Sequence, residues 1–432
     1  MIPLSRKEPI DGYLNGFINY ERYKYFPRKV NLNDYKIFLK KAGNPQQTLS
    51  PSVLIAGTNG KGSTAAIVSS ILTASGYRAG LFSSPHLFSY RERISINGKP
   101  ISKKNFRKCI RILKPFLDEP YQRLRRTFFE VLTTAAFVHF SLEKTDINIL
   151  EVGLGGRKDS TNVVNPLVSV ITPIGFDHTR TLGTILSSIA REKCGIIRNN
   201  GTVVSSFQHK NAMETIERIV KERNAYLFAA KQHIRIESVT IKDSGIRFRY
   251  NNEGYFLALS GAFQLENLKT ALLIIQILKE KGFPVSRGAL RKGLKQCVLK
   301  GRFDIVEKDP LTILDGAHNP SAVRKLVTSL KGLYPDRKPI FIFSCLSSKD
   351  RKGMAAALDK SAYRVILTRI HAERAADMSD LKQVFGKAAA LTDSIEGALK
   401  LARKLSDVDT VIMVTGSMYL VAEAYGALLA KG

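Results

Sequence analysis

The chain consists of short apolar runs that alternate with helical patterns, and glycine-rich or charged loops follow several of those runs. "SVLIAG", "INILEVGLGG", "VSVITPIG" and "GTVVSS" read as strands, and "TFFEVLTTAAFVHFSLEK" and "LSSIAREKCGII" between them read as helices. This alternation selects a parallel sheet with helices on its faces, because parallel neighbours can be joined only by a crossover. A more irregular basic stretch over 211–254 interrupts it, and within it "HIRIESVTIKDSGIRFRYNNEGYFLAL" alternates with period two, as hairpins do. The long helix "ENLKTALLIIQILKEKG" then closes at Gly282. Beyond Lys300 the alternation restarts with strands "LTILDG", "PIFIFS", "RVILTR" and "TVIMVTG" and helices "SAVRKLVTSLKGLY", "SIEGALKLARKL" and "MYLVAEAYGALLA". We read an α/β chain with a larger domain over 1–298 and a smaller one over 301–432, the border falling near Val298 to Gly301.

Composition narrows the class. A chain of 432 residues, 44% of them hydrophobic, is too long for one ordinary core and has enough apolar content for two. No apolar run approaches the roughly 20 residues of a membrane helix, and the opening "MIPLSRKEPIDGYLNGF" lacks the apolar stretch of a signal peptide, so the expectation is a cytoplasmic protein. Cys109, Cys194, Cys297 and Cys345 are widely spaced and read as buried thiols, which argues against structural zinc or a disulfide framework. The formal net charge of +30 is unusual. Its basic residues are scattered through "YERYKYFPRK", "ISKKNFRKCIRILK" and "YQRLRRTFF". That pattern suits solvated helix faces, nucleic-acid binding or a field for polyanionic small substrates, and does not choose among them.

The most informative loop is "LIAGTNGKGSTAAIVSSIL", residues 54 to 72, which runs from a buried strand through Gly57, Thr58, Asn59, Gly60, Lys61, Gly62 and Ser63 into a helix. Glycine-freed N–H groups at a helix N-terminus make a site for anionic oxygens, with Lys61 for phosphate charge and Ser63 for Mg²⁺. It departs from the standard G-x-x-x-x-G-K-[S/T] pattern, since Ile55 stands where the first glycine belongs and Gly62 separates Lys61 from Ser63. Phosphate binding is the favoured reading, and a tight glycine turn without a ligand is the alternative.

Other candidates also follow strands, where open α/β sheets bind ligands. Glu151 precedes Gly153, Gly155 and Gly156 and reads as a hard-metal ligand or as the partner of a nearby lysine. His178, after Asp177, reads as a metal ligand or a helix cap. Lys193 lies among apolar residues, where a cation must be paired, modified or led to solvent. In the second half, Asp315 and His318 of "ILDGAHNP" and Arg302 of "KGRFDIV" stand where a ligand between domains, or a salt bridge, would use them.

Taken in order, "GTNGKGS", "SSPHLFSYRERISING", "LEVGLGGRKDSTN", "ITPIGFDHTRTLG", "AREKCGII", "KGRFDIV", "LDGAHNP" and "TGSMYL" resemble the motifs of the folylpolyglutamate synthase and dihydrofolate synthase family, members of the Mur ligase superfamily. The resemblance runs from about Asn15 to Leu420. It implies a P-loop ATPase-like N-terminal domain of the Mur ligase central type and a Rossmann-like C-terminal domain. It also implies ATP-dependent addition of L-glutamate to dihydropteroate or a reduced folate through an acyl phosphate, with ATP and Mg²⁺ and without nucleic acid, membrane or further subunits. By the same resemblance Ser63, Ser84, Glu151 and His178 are the Mg²⁺ ligands and Lys61 completes the phosphate loop. Lys193 matches a carbamylated lysine; Asn267, Arg302 and Asp315 match nucleotide contacts; His318 and Ser417 match the glutamate pocket; and Asp159 matches a dihydropteroate position. Tyr90, Arg93, Phe128 and Phe129 suit a pterin pocket as flat aromatics and a cation, or else belong to the core. Cys194 stands where alanine is usual, "RKDST" varies the common order, and "CLSSKDRKG" is a loose version of the family's loop near Lys349 and Asp350. Two other readings stay open: a Mur-type ligase for a peptidoglycan precursor, and a basic P-loop NTPase that binds nucleic acid.

Overall fold

The phosphate-loop strand lies near the middle of the first sheet. The structure, a computed structural model, describes residues 9–21, 31–385 and 388–429; most of "YERYKYFPRK", from residue 22 on, and the end of "MYLVAEAYGALLA" lie outside the described residues. The first sheet comprises β1 (Ser52–Ala56), β2 (Ala79–Phe82), β3 (Ile94–Ile96), β4 (Lys99–Pro100), β5 (Ile147–Glu151), β6 (Val168–Ile171), β7 (Thr202–Ser205) and β8 (Tyr226–Ala229). Their order is β4-β3-β2-β5-β1-β6-β7-β8, parallel from β2 to β8. β1 is buried at all five positions, as a strand covered on both faces must be. Its alternation splits the core: Val53 and Ile55 pack with the helices Lys61–Ala74 and Gln264–Glu280, whereas Leu54 and Ala56 face the helices Lys103–Leu117 and Phe128–Leu142.

β9 (Glu237–Lys242), β10 (Gly245–Tyr250) and β11 (Glu253–Leu257) form an antiparallel meander, the expected hairpins. The stretch expected to be irregular from residue 211 instead begins with a regular helix, Lys210–Glu222. Its buried residues Ala212, Thr215, Ile216, Ile219 and Val220 follow a helical stripe that the surrounding charges obscure.

The second sheet contains β12 (Asp304–Lys308), β13 (Leu311–Leu314), β14 (Lys338–Phe343), β15 (Arg364–Thr368), β16 (Ala388–Thr392) and β17 (Thr410–Thr415), in the order β12-β13-β17-β14-β15-β16. Only β12 runs antiparallel to its neighbour. All four cysteines are free and buried. Among the described residues, no helix is long and apolar enough to cross a membrane.

Candidate functional site

In the sheet order β5-β1-β6, three of the singled-out loops leave the carboxyl ends of adjacent parallel strands. The central one is Gly57–Gly60, which leads into the helix Lys61–Ala74. Gly57 has φ +152, and a Cβ there would overlap Thr172; Gly60 has φ +83, and a Cβ there would overlap the Asn267 side-chain oxygen. Only glycine lets the loop pass this close to both neighbours. Thr58 and Asn59 donate their N–H groups to the Pro173 carbonyl at 3.0 and 3.2 Å, which anchors the front of the loop to the one after β6. The first intrahelical bond runs from Thr64 N to Gly60 O, so the N–H groups of Lys61, Gly62 and Ser63 belong to the first turn, where a helix presents donors to an anion. Lys61 folds back over the loop, donating to the carbonyls of Gly57 at 3.2 Å and Thr58 at 3.3 Å.

Glu151 ends β5 with its carboxylate beside Gly62: a Cβ on that glycine would lie 3.5 Å from Oε2. That oxygen accepts the Ser84 backbone N–H at 3.2 Å, so Ser84 reaches Glu151 through its amide. Burial raises the Glu151 pKa against the opposing charge of Lys61. Lys193, on the last turn of the helix Leu186–Lys193, is buried and donates to Gly57 O at 2.7 Å. Burial, and then the neighbouring Lys61 charge, pull its pKa down to about 7.

Across the cleft, β13 and β14 present a second set of loops, which meet Asp177 of the loop after β6. Asp177 is the hub: it accepts Lys349 Nζ at 2.7 Å and Asn319 Nδ2 at 3.2 Å, and His318 Nε2 lies 3.5 Å away. Burial alone would raise the Asp177 pKa, but the His318 hydrogen bond and the Lys349 charge hold it far below the carboxylate range. Asn319 caps the helix Pro320–Leu333 and donates to Asn59 of the phosphate loop at 3.0 Å. His178 stands at the edge of this network in a left-handed conformation, with Lys349 Nζ 3.4 Å from its Nε2. Desolvation of the ring and then the Lys349 charge lower its pKa to about 3. His318 hydrogen-bonds the Gly316 carbonyl through Nδ1 at 2.8 Å, and desolvation lowers its pKa also.

Other expected residues are occupied within the fold. Asp315 accepts the N–H groups of Phe303 and Ala317, both at 2.8 Å, and thereby ties the turn after β13 to the junction at Arg302. Asn267 donates to Gln264 Oε1 at 2.8 Å and leans over Gly60, while Gln264 Nε2 is buried without a partner. Ser417 accepts the Tyr419 N–H at 3.1 Å at the start of the helix Met418–Leu429. Asp159 accepts four bonds, from Gly153 N and Leu154 N at 3.0 Å each, Thr161 N at 2.9 Å and Thr161 Oγ1 at 2.5 Å. It therefore staples both ends of the glycine loop after β5.

The aromatic candidates separate. Phe129 lies against Phe82 with ring centroids 5.5 Å apart, and a Cβ on Gly153 would come within 2.6 Å of its ring. Tyr90 packs on Phe106, and Phe128 is buried under the Arg93 guanidinium, 5.6 Å from the ring centre. Arg93 itself is only 1% exposed and fully committed: Nη1 and Nη2 grip Glu21 at 2.7 and 2.5 Å, and Nε donates to His86 Nδ1 at 2.8 Å. Sequence reasoning overlooked Glu21 and His86, and His86 alone carried a signal, its place inside "SSPHL".

This arrangement has counterparts among known proteins. The Mur ligase middle domain matches residues 55–275 and the Mur ligase glutamate ligase domain matches residues 301–418. A Bacillus subtilis dihydrofolate synthase/folylpolyglutamate synthase is 31% identical over 92% of this chain and 95% of its own. An Escherichia coli FolC in complex with DHPP and ADP superposes with a TM-score of 0.86 at 29% identity, covering 98% of both chains. A bifunctional folylpolyglutamate synthase/dihydrofolate synthase with Mn, AMPPNP and L-glutamate bound has a TM-score of 0.82 at 31% identity, covering 94% of this chain and 96% of that one. The chain belongs to the dihydrofolate synthase/folylpolyglutamate synthase family of Mur ligases.

Proposed function

We propose that the protein is an ATP-dependent carbon–nitrogen ligase that adds L-glutamate to dihydropteroate, to tetrahydrofolate and its polyglutamates, or to both. The observation that carries this reading is the facing of two strand-end clusters, with Asn59 of the phosphate loop bonded to Asn319 and Asp177 bonded to Lys349 across one cleft. The acceptor carboxylate attacks the γ-phosphorus, ADP leaves, and an acyl phosphate forms. The glutamate amine then attacks the acyl carbon, phosphate leaves, and the amine gives up its proton. Positioning and charge stabilisation are what the protein supplies.

Lys61 and the first-turn amides hold the transferred phosphate, with Asn267, Arg302 and Asp315 around the nucleotide. The donor set suits a divalent ion shared with that phosphate: Glu151 is a buried carboxylate beside Gly62 with its charge undercompensated, and Ser63, Ser84 and His178 belong to neighbouring loops. Among the described residues, no group of three or more His, Cys, Asp or Glu could hold a metal by itself, and Glu151 with the Ser63 and Ser84 hydroxyls and His178 would hold the ion. Magnesium, when bound, screens the phosphate charge against the incoming carboxylate.

A Lys193 amine with a pKa of about 7 has a substantial neutral fraction near neutral pH, and that fraction can add carbon dioxide, losing a proton to become a carbamate anion. His318 and Ser417 serve glutamate. Phe128, Phe129, Tyr90 and Asp159 shape the pterin side, where Arg93 acts as a brace. The exposed Val298, at 76% relative exposure, supports a border between domains 1–298 and 301–432. We place the enzyme in the cytoplasm as a monomer.

Phosphate release with Mg²⁺, ATP and L-glutamate tests the reading when dihydropteroate and tetrahydrofolate are offered separately. Release with at least one acceptor, abolished in Lys61→Ala, is expected. Release with neither contradicts it.

A further inference from the structure

On the flank of the first sheet, the loop after β5, the helix Leu186–Lys193 and the end of the helix Lys210–Glu222 enclose a concavity of about 250 Å³. It is lined by Arg157, Arg191, Arg218, Ile219, Glu222 and Arg223. We infer that it is a binding site for a ligand carrying several closely spaced anionic groups, an oligophosphate or an oligo-γ-glutamyl chain. None of the lining residues has a part in the proposed ligation, and the inference does not depend on that reading.

Charge is the first argument. Four arginines line one hollow, whereas only Glu222 within it and Glu192 beside it are acidic. Both acids sit at loose distances from exposed arginines, Glu192 3.6 Å from Arg157 and Glu222 3.7 Å from Arg218, in pairs that contribute little to stability. Among the described residues, neither Arg191 nor Arg223 forms an ion pair. A fifth guanidinium, Arg198, lies behind Arg223 and is satisfied by the carbonyls of Asn162 at 2.9 Å and Val164 at 2.8 Å, which carry no net charge to offset it. Like charges gathered around one hollow repel one another, and a polyanion relieves that repulsion while pairing with planar donors suited to phosphate and carboxylate oxygens.

Preorganisation is the second argument. Arg223 is fixed at both ends, its guanidinium donating to the Ile197 carbonyl and its own carbonyl accepting Asn200 N at 2.9 Å. Arg157 is held by its N–H to Glu192 O at 2.8 Å and by Gly195, which packs against the Arg157 backbone so closely that a Cβ there would overlap it. The Arg223 guanidinium and the Arg157 backbone are thus already in place when the ligand arrives, which lowers the entropic cost of binding.

The test is calorimetric titration of the Mg-ADP-saturated protein, so that the phosphate loop is already filled, with tripolyphosphate and separately with tetra-γ-L-glutamate. Saturable one-to-one binding of at least one probe is expected, weakened about tenfold in Arg191→Gln/Arg218→Gln and unchanged in Arg235→Gln, an exposed arginine elsewhere. Which probe binds identifies the source of the anion. Absence of saturation with both probes, or equal binding by the double variant and wild type, overturns the proposal. The thermal midpoint of the double variant checks folding. Lys61→Ala, which disables ligation, must leave probe binding intact, so this site and the ligase reading can fail separately.

Discussion

The side-chain amine of Lys193 donates to the carbonyl of Gly57 at 2.7 Å, so a buried cation is tethered to the first glycine of the phosphate loop. Burial and then the Lys61 charge lower its pKa to about 7 from 10.5. Across that interval the unfolded chain holds a proton that the native chain lacks, so this group makes folding more favourable as pH rises from about 7 towards 10.5. Well below pH 7 both states are protonated and the full cost of the buried charge remains. In carbon dioxide-free buffer, the stability of wild type relative to Lys193→Met therefore grows between pH 7 and pH 9, by at most about 1.4 kcal/mol per pH unit. Urea denaturation at the two values measures it, and a pH-independent difference contradicts the assignment.

Two glycines separate backbone conformation from ligand space. Gly60 and Gly76 both have positive φ, +83 and +92, but a Cβ would strike Asn267 at Gly60 and meet nothing within 4 Å at Gly76. Each alanine substitution costs about 1 to 2 kcal/mol of stability. Gly60→Ala alone should also raise the KM for ATP, between about tenfold and about a hundredfold, because the loop or Asn267 must shift. Steady-state kinetics with both variants make the comparison.

Glu21 provides the only carboxylate that grips the buried Arg93 guanidinium among the described residues. Glu21→Gln leaves that charge unneutralised and should destabilise the protein by about 3 kcal/mol, the lower end for a broken buried pair because Glu21 keeps some contact with solvent. Chemical denaturation at neutral pH reads the loss. Arg93 also supports His86 and Phe128, so the KM for the pterin acceptor should rise in the same variant.

Asp177 and Lys349 form one unit across the cleft. Asp177→Asn and Lys349→Met should each lower kcat, and the double variant should lose no more than the worse single one, a coupling of about 1 kcal/mol or more. Additive losses would mean that the two side chains act independently.

How far the sequence reveals these relationships depends on chain distance. The strand, glycine loop and helix over 52–74 are legible because burial, glycine conformation and helical period are local properties. Gly282 likewise marks the end of its helix through a positive φ of +92. The helix Lys210–Glu222 is hidden because its narrow apolar stripe is set among charged residues. Arg93 has the residue type expected of a pterin contact, yet its partner lies 72 positions away, and no local pattern announces that Glu21 will neutralise it. Lys349 stands in a loop that departs from the family pattern, and only folding brings it to Asp177, 172 positions earlier. Asp159 is singled out only by the family resemblance, and its saturation by loop amides is a property of the folded backbone.

In the proposed reaction, phosphoryl transfer activates a carboxylate before the amide forms. An acceptor whose carboxylate carries heavy-isotope oxygen should be incubated with ATP, Mg²⁺ and L-glutamate, and the released phosphate analysed by mass spectrometry. One labelled oxygen is expected in each phosphate released, with the label and the release both lost in Lys61→Ala. Unlabelled phosphate accompanying amide formation would contradict it.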